Sequence, residues 1–247
     1  LMLVIIDKTE NTYSFLQLNR DTMTEVALID HNGEGEATAN IQLCTAHWYG
    51  GNREQSCENT VKSVKKLLGG IQIDGYYELN MSEIPKLNNM VDGVTVTLED
   101  DFSKKYPKMK KGATINLDDE QAYAYVHDRY GVGNEENTSR MKRQQQYMTG
   151  FFKKLQEKVK ANPNYANEVF ESLQDVSTTD ITIGKISNIS NIFASGTDKG
   201  IFELAGKSKI GQALGDEMDH MEFYVNKKAM VSTMSELFGI VEQKNKE

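Results

Sequence analysis

Three arginine residues surround a glycine-containing loop in the segment 126–147, which reads VHDRYGVGNEENTSRMKRQQQY. These residues are Arg129, Arg140 and Arg143. A guanidinium group stays charged at physiological pH and can donate two parallel hydrogen bonds to phosphate oxygens. Their type and spacing therefore predict a site that binds phosphate or pyrophosphate.

The loop between these arginines also favours anion binding through its backbone. Gly131 and Gly133 allow sharp turns, and Asn137, Thr138 or Ser139 can cap the helix that follows. The N-terminus of a helix attracts anions because its first N–H groups have no partner within the helix. The segment thus predicts anion binding by side chain and by backbone.

Ordinary surface ion pairs of the arginines with Asp128, Glu135 and Glu136 are the alternative, and such pairs contribute little to stability. Helical spacing favours the binding site, because Arg140 and Gln144 share one helix face. Beside that face runs a predicted apolar stripe toward the core, formed by Met141, Met148, Phe152, Leu155 and Val159.

A second basic position, Arg20, follows the alternating residues Tyr13, Phe15 and Leu18, which predict a strand. Residues that project from a strand end are common site residues. The alternative is a simple Arg-Asp-Thr turn, in which Asp21 caps its own loop through a local side-chain bond. Taken alone, the segment favours that turn.

Taken together, these segments resemble the LytR-CpsA-Psr family of bacterial cell-envelope proteins, over nearly the whole chain. The resemblance rests on the order and spacing of six segments, which read LMLVIID, FLQLNRDT, ANIQLCTAHWYGG, NTVKSVKKLLGGIQIDGYYELNM, MVDGVTVTLEDDF and YVHDRYGVGNEENTSRMKRQQQYM. Agreement in order and spacing is far more specific than any one motif.

The resemblance implies a phosphotransferase of cell wall assembly that acts outside the cell. Such an enzyme takes a glycopolymer from a polyprenyl pyrophosphate carrier and attaches it to peptidoglycan. It also implies an α/β fold, with a central mixed β-sheet flanked by helices on both faces. We expect a single domain over residues 1–247, with the core motifs in 1–160 and the remainder of the domain in 165–247.

By position, the resemblance assigns catalytic roles and pyrophosphate binding to a set of residues. Arg20, Arg129 and Arg140 would clamp the pyrophosphate, and Asp21 would hold Mg²⁺ or position the attacking hydroxyl. The further pyrophosphate-binding residues would be His127, Arg143 and Gln144.

Three departures from the family pattern weaken this assignment of residue roles. His127 replaces the first arginine of an Arg-x-Arg pair, which exchanges a permanent charge for a group that is mostly neutral at pH 7. Asn137 stands where many members have aspartate. The family's first active-site aspartate would precede Leu1, as would its N-terminal membrane anchor. A non-catalytic lipid-pyrophosphate-binding protein and a pyrophosphate hydrolase are therefore competing hypotheses.

Composition indicates a folded chain and argues against a nucleic-acid-binding role. The chain has 247 residues, 38% of them hydrophobic, which suffices for a sizeable core. The formal charge of −8 excludes the basic surface that sequence-independent DNA binding requires. No apolar run approaches the roughly 20 residues that span a bilayer. The family resemblance implies a location at the outer face of the cell membrane.

A polyprenyl chain would need a hydrophobic channel beside the phosphate site, and Met148 and Phe152 are the candidate lining residues. Ordinary packing between helix and sheet is the alternative for both.

The only two cysteines, Cys44 and Cys57, favour a disulfide in an oxidising compartment, with two unpaired thiols as the alternative. A zinc site of both cysteines with His47 is not expected, because the other histidines lack matching ligand spacing.

Periodicity predicts alternating strands and helices. A hairpin is expected from 1–6 to 13–18. Further strands are expected at 71–73, 76–79, 94–98, 201–204 and 221–225. One helix should end at Gly69, and a second helix, capped by Ser82, should end at Gly93. Asp118 and Gln121 have capping-box spacing. Further helices are predicted from about 138 to 162, at 166–173 and 183–193, and at 230–240.

Overall fold

The structure is a computed structural model that describes residues 1–35 and 37–239 of the chain. Its strands are β1 (Met2–Asp7), β2 (Thr12–Gln17), β3 (Met23–Ala27), β4 (Thr38–Gln42), β5 (Tyr77–Leu79), β6 (Thr95–Thr97), β7 (Thr114–Asn116), β8 (Ser177–Thr179), β9 (Thr197–Glu203), β10 (Gly206–Gly211) and β11 (His220–Val225).

The α-helices are interspersed with these strands along the chain. They are α1 (Arg53–Leu67), α2 (Ile84–Met90), α3 (Asp119–His127), α4 (Asn137–Ala161), α5 (Tyr165–Ser172), α6 (Ile183–Ser195) and α7 (Lys227–Phe238). Short 3₁₀ helices occupy Leu43–Trp48, Met81–Glu83 and Gln174–Val176. Among the described helices, none combines the length and apolar composition needed to cross a membrane.

Strand β2 is the middle strand of a three-stranded mixed sheet. It pairs antiparallel with β1, where Leu3 lies opposite Leu16, and parallel with β9, where Phe15 lies opposite Ile201. The predicted N-terminal hairpin is therefore confirmed. The other described strands form four antiparallel pairs, β3 with β4, β5 with β8, β6 with β7, and β10 with β11.

Alternate side chains of β2 pack against helices on opposite faces of this sheet. On one face the ring of Phe15 stacks on Phe152 of α4, with ring centroids 4.2 Å apart. On the other face Leu16 is fully buried and joins a cluster with Val64 of α1 and Met234 of α7. Because side chains alternate along a strand, one short hydrophobic segment fills two cores. The predicted α/β class, with helices on both faces of a mixed sheet, is confirmed.

A second core lies between β6 and the helices α2, α3 and α4. Val96, Tyr125, Tyr147 and Phe151 are among its buried residues. Helix α3 begins with the predicted capping box, in which Asp118 accepts from the Gln121 backbone at 2.9 Å and the Gln121 side chain accepts in return. This cap sets the start of the helix that ends two residues before Arg129.

Several predicted elements differ from the structure. The segment 71–73 forms no strand, because Ile71 and Ile73 pack on the core around α1 without a pairing partner. Asn80, and not Ser82, caps the turn before α2. The last helix starts earlier than expected, at Lys227, because Asn226 caps it. Its predicted end at residue 240 lies outside the described residues.

The buried face of α4 agrees with the predicted stripe at Met141 and Val159 but includes Tyr147 and Phe151 in place of Met148 and Phe152. Its buried residues are Met141, Arg143, Tyr147, Phe151 and Val159. Met148 and Phe152 are only half-buried. Arginine and tyrosine have long apolar stems that pack while their polar ends find partners, and a hydrophobicity pattern misses such residues.

Candidate phosphate-binding site

Asn19 closes the turn after β2 through its own hydrogen bonds, so the Asp21 carboxylate is free to contact residues outside the turn. Its side-chain oxygen accepts from the Asp21 backbone N–H at 2.9 Å, and its carbonyl accepts from the Thr22 hydroxyl at 2.6 Å. The predicted local cap by Asp21 is therefore wrong, since Asn19 performs that function. The Asp21 carboxylate instead lies 3.6 Å from the Arg20 guanidinium.

Asn137, the first residue of α4, connects this turn to Arg140. Its amide nitrogen donates to Asp21 at 3.0 Å and to Asn19 at 3.2 Å. Its amide oxygen accepts from Nη2 of Arg140 at 2.8 Å. None of the three predicted caps, Asn137, Thr138 or Ser139, acts as one, because the N-cap residue is Glu136 and it makes no side-chain cap bond. The Asn137 side chain is used for long-range contacts.

Arg140 is half-buried among other positive charges. Burial lowers the pKa of its guanidinium, and the charges of Arg20 and Arg129 lower it further, while Asp21 opposes this effect. In the part of the chain that the structure describes, its buried Nε–H has no hydrogen-bond partner. A buried donor without a partner carries a desolvation cost, and an anion that accepts from it would remove that cost.

Asp21 is the acidic group within this set of arginines. Burial raises the pKa of its carboxyl above that of an ordinary aspartate, and Arg20, the bond from Asn137, Arg140 and Arg129 partly offset this rise. Three positive charges therefore surround one carboxylate. The excess positive charge suits a ligand with two or more negative charges, such as a pyrophosphate.

Arg129 reaches the site from the segment that follows α3. Its guanidinium carbon lies 4.5 Å from the centroid of the Tyr130 ring, and its Nη2 donates to the Tyr130 hydroxyl. The Tyr130 side chain is 77% exposed, so this contact leaves the arginine accessible to a ligand. The structure thus brings together Arg20, Arg129 and Arg140 from three separate segments.

Arg143 lies in the core, and its direct contact with the ligand stays a prediction. Its side chain is 1% exposed and pairs with Asp100 at 3.4 Å. Its Nη2 donates to the carbonyl of Asp128 at 2.6 Å, and the guanidinium lies over the rings of Phe102 and Tyr125. Arg143 therefore positions the backbone just before Arg129.

Gln144 and His127 also contact the end of α3. The amide nitrogen of Gln144 donates to the Val126 carbonyl at 3.0 Å. The His127 ring stacks on Tyr123 with centroids 4.7 Å apart, and its Nδ1 lies 3.2 Å from Asp128. Direct phosphate contact by either side chain stays a prediction, whereas support of the segment that carries Arg129 is observed for Gln144.

Met148 and Phe152 pack within the protein as the alternative interpretation expects. Phe152 contacts Phe15, Phe151 and Phe193 through ring stacking and edge contacts. Met148 packs against the core between β6 and α4. Their predicted role as lipid-pocket residues is not supported by this placement, because their apolar surfaces already contact other side chains.

Cys44 and Cys57 are both free thiols, and the predicted disulfide is wrong. The Cys44 sulfur lies 3.6 Å from Nη2 of Arg20. The Cys57 sulfur, in α1, instead lies 3.8 Å from Nε2 of His47. The two sulfurs thus belong to different environments, which sequence separation alone does not reveal.

Asp21 is the residue of this site that could hold a magnesium ion, which stays a prediction. Mg²⁺ prefers oxygen ligands and is commonly held by one or two carboxylates together with substrate phosphates. Asp21 offers a carboxylate that is 15% exposed, beside the region where the arginines would hold a phosphate. The observed donor chemistry is therefore compatible with Mg²⁺ delivered together with a phosphorylated ligand.

Sequence reasoning missed the bridging roles of Asn19 and Asn137. Both are short amides at the end of a strand and the start of a helix, where their side chains commonly make hydrogen bonds. Their positions could have indicated such contacts, but the pairing of Asn137 with Asp21 depends on the tertiary fold. The structural role of Gly133 was also missed. Its backbone lies against Asp100, the partner of Arg143.

Comparison with known proteins shows the family of this chain. Residues 1–238 match the LytR_cpsA_psr family, and the chain belongs to that family. A relative, the polyisoprenyl-teichoic acid–peptidoglycan teichoic acid transferase TagU of Bacillus cereus (strain AH820), is 29% identical over 154 residues. That match covers 62% of this chain and 46% of TagU, so the chain spans about half the length of this relative.

Solved structures show the same fold. The crystal structure of B. subtilis TagV has 20% identity and a TM-score of 0.70, and the match covers 97% of this chain and 89% of TagV. A structure of TagT bound to LI-WTA has 20% identity and a TM-score of 0.71, with 96% of this chain and 82% of that chain covered. These likenesses confirm the mixed α/β fold.

Proposed function

We propose that this chain is the catalytic part of a phosphotransferase that attaches a glycopolymer from a polyprenyl pyrophosphate carrier to peptidoglycan. The observation that carries the proposal is the convergence of Arg20, Arg129 and Arg140 on Asp21, with one buried Arg140 donor left unpaired. The name of TagU as a teichoic acid transferase supports the reaction class.

The three arginines would bind the pyrophosphate and stabilise the negative charge that develops during transfer. An acceptor hydroxyl of peptidoglycan attacks the phosphorus next to the glycopolymer, and the bond to the carrier's phosphate breaks. Polyprenyl phosphate is the leaving group. Enzymatic phosphoryl transfer depends mainly on positioning and electrostatics, which matches a site made chiefly of oriented guanidinium groups.

Asp21 has two roles in this proposal. Its ionised carboxylate would orient the acceptor hydroxyl, and together with phosphate oxygens it would hold Mg²⁺, which neutralises phosphate charge when bound. Asn137 positions both Asp21 and Arg140 through the two ends of one amide. A bridge of this kind fixes the position of the Arg140 guanidinium relative to the Asp21 carboxylate.

The substrates place the activity at the cell envelope. A polyprenyl carrier resides in the membrane and peptidoglycan lies outside it, so we assign this domain to the outer face of the cell membrane. A membrane anchor that precedes residue 1, as the family resemblance implies, would hold the site near its lipid donor. Nucleic acid is not a partner in this proposal, given the formal charge of −8.

A transfer assay tests this function. Purified protein, Mg²⁺, a labelled glycopolymer on polyprenyl pyrophosphate and peptidoglycan fragments should yield labelled peptidoglycan and polyprenyl phosphate. Arg140→Gln should lower the rate by about 10³-fold or more, as the loss of a transition-state arginine does. The matched control is Lys142→Gln, which removes an exposed charge from the same helix and should retain the rate.

Two outcomes of the assay separate the competing functions. Tight binding of the donor without any product would contradict the transferase and favour a non-catalytic carrier-binding protein. Phosphate release that needs no peptidoglycan would contradict it in favour of a hydrolase. Transfer that survives in Arg140→Gln at the wild-type rate would remove the arginine site from the mechanism.

A further inference from the structure

A second cluster of reactive side chains lies on three elements outside the arginine site. His47 is in the 3₁₀ helix Leu43–Trp48, Cys57 is in α1, and Glu78 is in β5. The Cys57 sulfur lies 3.8 Å from His47 Nε2 and 4.0 Å from Glu78 Oε2, and His47 Nε2 lies 3.9 Å from Glu78 Oε1. One ligand atom from each residue therefore points into a common space.

These separations are close to those around a tetrahedral zinc ion. Zinc bonds of about 2.3 Å to sulfur and about 2.0–2.2 Å to nitrogen and oxygen place tetrahedral ligand atoms roughly 3.4–3.6 Å apart. With one atom taken from each residue, the three ligand atoms all lie within 4.8 Å of one another, so the side chains must move together by up to about 1 Å to hold the ion. Side-chain torsions can supply such a shift without a change of backbone. From this geometry we infer that His47, Cys57 and Glu78 form a zinc-type metal site.

The surroundings hold the carboxylate in an orientation that suits this role. Nη2 of Arg53 donates to Oε1 of Glu78 at 2.8 Å, which leaves Oε2 directed toward the sulfur. Thr178 is the cross-strand neighbour of Glu78. Hydrogen-bond partners outside the ligand set commonly orient metal-binding carboxylates in this way.

The charges and ligand types select a transition metal over magnesium. A thiolate and a carboxylate together carry two negative charges, which match the charge of a divalent cation. The Cys57 sulfur also lies in the electric field of the negative charges of Glu54 and Asp180 and of the positive charge of Arg53. Thiolate and imidazole ligands favour zinc and related ions, whereas Mg²⁺ prefers oxygen ligands. When the metal binds, the Cys57 thiol releases its proton to solvent and the sulfur forms the metal bond.

The site has three protein ligands and an open side. Cys57 is buried, while the His47 side chain is 40% exposed and that of Glu78 is 25% exposed. Zinc sites with three protein ligands bind water or another ligand at the fourth position.

Cobalt binding tests the site without reference to transfer activity. The reduced chain is titrated with Co²⁺, and the expected result is one ion per chain with a cobalt–thiolate charge-transfer absorption that Zn²⁺ abolishes by displacement. Cys57→Ser should remove this absorption. The matched control is Cys44→Ser, which removes the other thiol and should leave the absorption unchanged.

Two further variants keep the thiol and test the remaining ligands. His47→Gln and Glu78→Gln should each weaken Co²⁺ binding at least tenfold, since loss of even a supporting residue around a metal costs about 10–100-fold in affinity. Circular dichroism checks that each variant is folded. If Cys57→Ser does not fold, His47→Gln and Glu78→Gln decide whether the site exists. Absence of Co²⁺ binding, an absorption that persists in Cys57→Ser, or equal loss in Cys44→Ser would overturn the proposal.

Discussion

The amide of Asn137 donates to the carboxylate of Asp21 at 3.0 Å and joins the start of α4 to the turn after β2. The oxygen of the same amide accepts from Arg140 at 2.8 Å. One neutral side chain thus bridges an acid and a base that belong to distant parts of the sequence. This bridge makes the relative position of Asp21 and Arg140 a property of the folded chain before any ligand binds.

Replacement of this bridge by a carboxylate should make the protein dependent on a cation. In Asn137→Asp, one carboxylate oxygen can keep the bond from Arg140, but the other would face the Asp21 carboxylate at the distance that the hydrogen bond now spans, and like charges at that separation repel. We expect a lower Tm without divalent ions and recovery of most of the loss with Mg²⁺. Thermal unfolding with Mg²⁺ and with a chelator measures the difference.

Asn89→Asp, on the exposed side of α2, is the control for this charge change and should not gain a Mg²⁺ response. The same small response to Mg²⁺ in both variants would show that Asp21 does not take part in a cation site.

Arg143 should matter for stability more than for ligand contact. Arg143→Met leaves Asp100 without its partner and removes the bond to the Asp128 carbonyl, so the free energy of unfolding should fall by about 3–5 kcal/mol. Arg143→Lys should not restore it, because an ammonium cannot reproduce the planar contacts with two rings. Urea denaturation measures both variants.

The exposed neighbour Lys142 provides the comparison on the same helix. Lys142→Met should change the free energy of unfolding by less than about 0.5 kcal/mol, as surface substitutions usually do. An Arg143→Met protein as stable as wild type would contradict the assignment of Arg143 to the core.

The loop before α4 allows a test with two glycines that differ in one respect. Both Gly131 and Gly133 have positive φ, at 74° and 55°. A Cβ on Gly133 would lie 2.4 Å from the Asp100 carboxylate, whereas one on Gly131 would meet nothing within 4 Å. Gly133→Ala should therefore lose more stability than Gly131→Ala, which pays only the backbone cost of about 1 kcal/mol.

Denaturant unfolding of the two alanine variants provides the measurement. Because Asp100 also pairs with Arg143, Gly133→Ala should in addition weaken pyrophosphate binding by displacing that pair. Equal stability losses for the two variants would show that the Asp100 contact does not constrain the loop.

The acid side of the pH profile should report Asp21. Because burial raises the pKa of this carboxyl, it takes up a proton at a higher pH than an ordinary aspartate does as the solution is acidified. Transfer that needs the ionised form should thus decline on acidification with an apparent pKa above the usual aspartate range. A pH profile of kcat/KM measures it.

Asp21→Asn should lower the rate at neutral pH and remove this acidic limb, since the amide does not titrate. An acidic limb that remains unchanged in Asp21→Asn would assign the titration to another group.

Local patterns predicted much of the fold, and tertiary contacts decided the rest. The hairpin of β1 and β2 and the capping box of α3 follow from alternation and from cap chemistry over a few residues. Strand β5 was predicted at 76–79, but its partner β8 was not. Their three-residue pairing joins distant segments, and so brief a run leaves no clear period in the sequence.

The site shows the same division. The arginine types and the helix beginning at residue 137 indicated a phosphate site, and Arg20, Arg129 and Arg140 do converge. That Arg143 turns into the core while Arg140 does not depends on Asp100 and two aromatic rings, which are supplied by other segments. Likewise, the spacing of Cys44 and Cys57 suggested a bridge, but their helices direct the sulfurs to different neighbours.

Native mass spectrometry of the purified domain with a polyprenyl pyrophosphate and Mg²⁺ tests the central claim most directly. Wild-type protein and Lys142→Gln should retain the lipid, and Arg140→Gln should lose it while remaining folded by circular dichroism. This outcome would place the anion-binding group at Arg140. Equal lipid retention by Arg140→Gln and wild type, or no lipid on any folded form, would contradict the account.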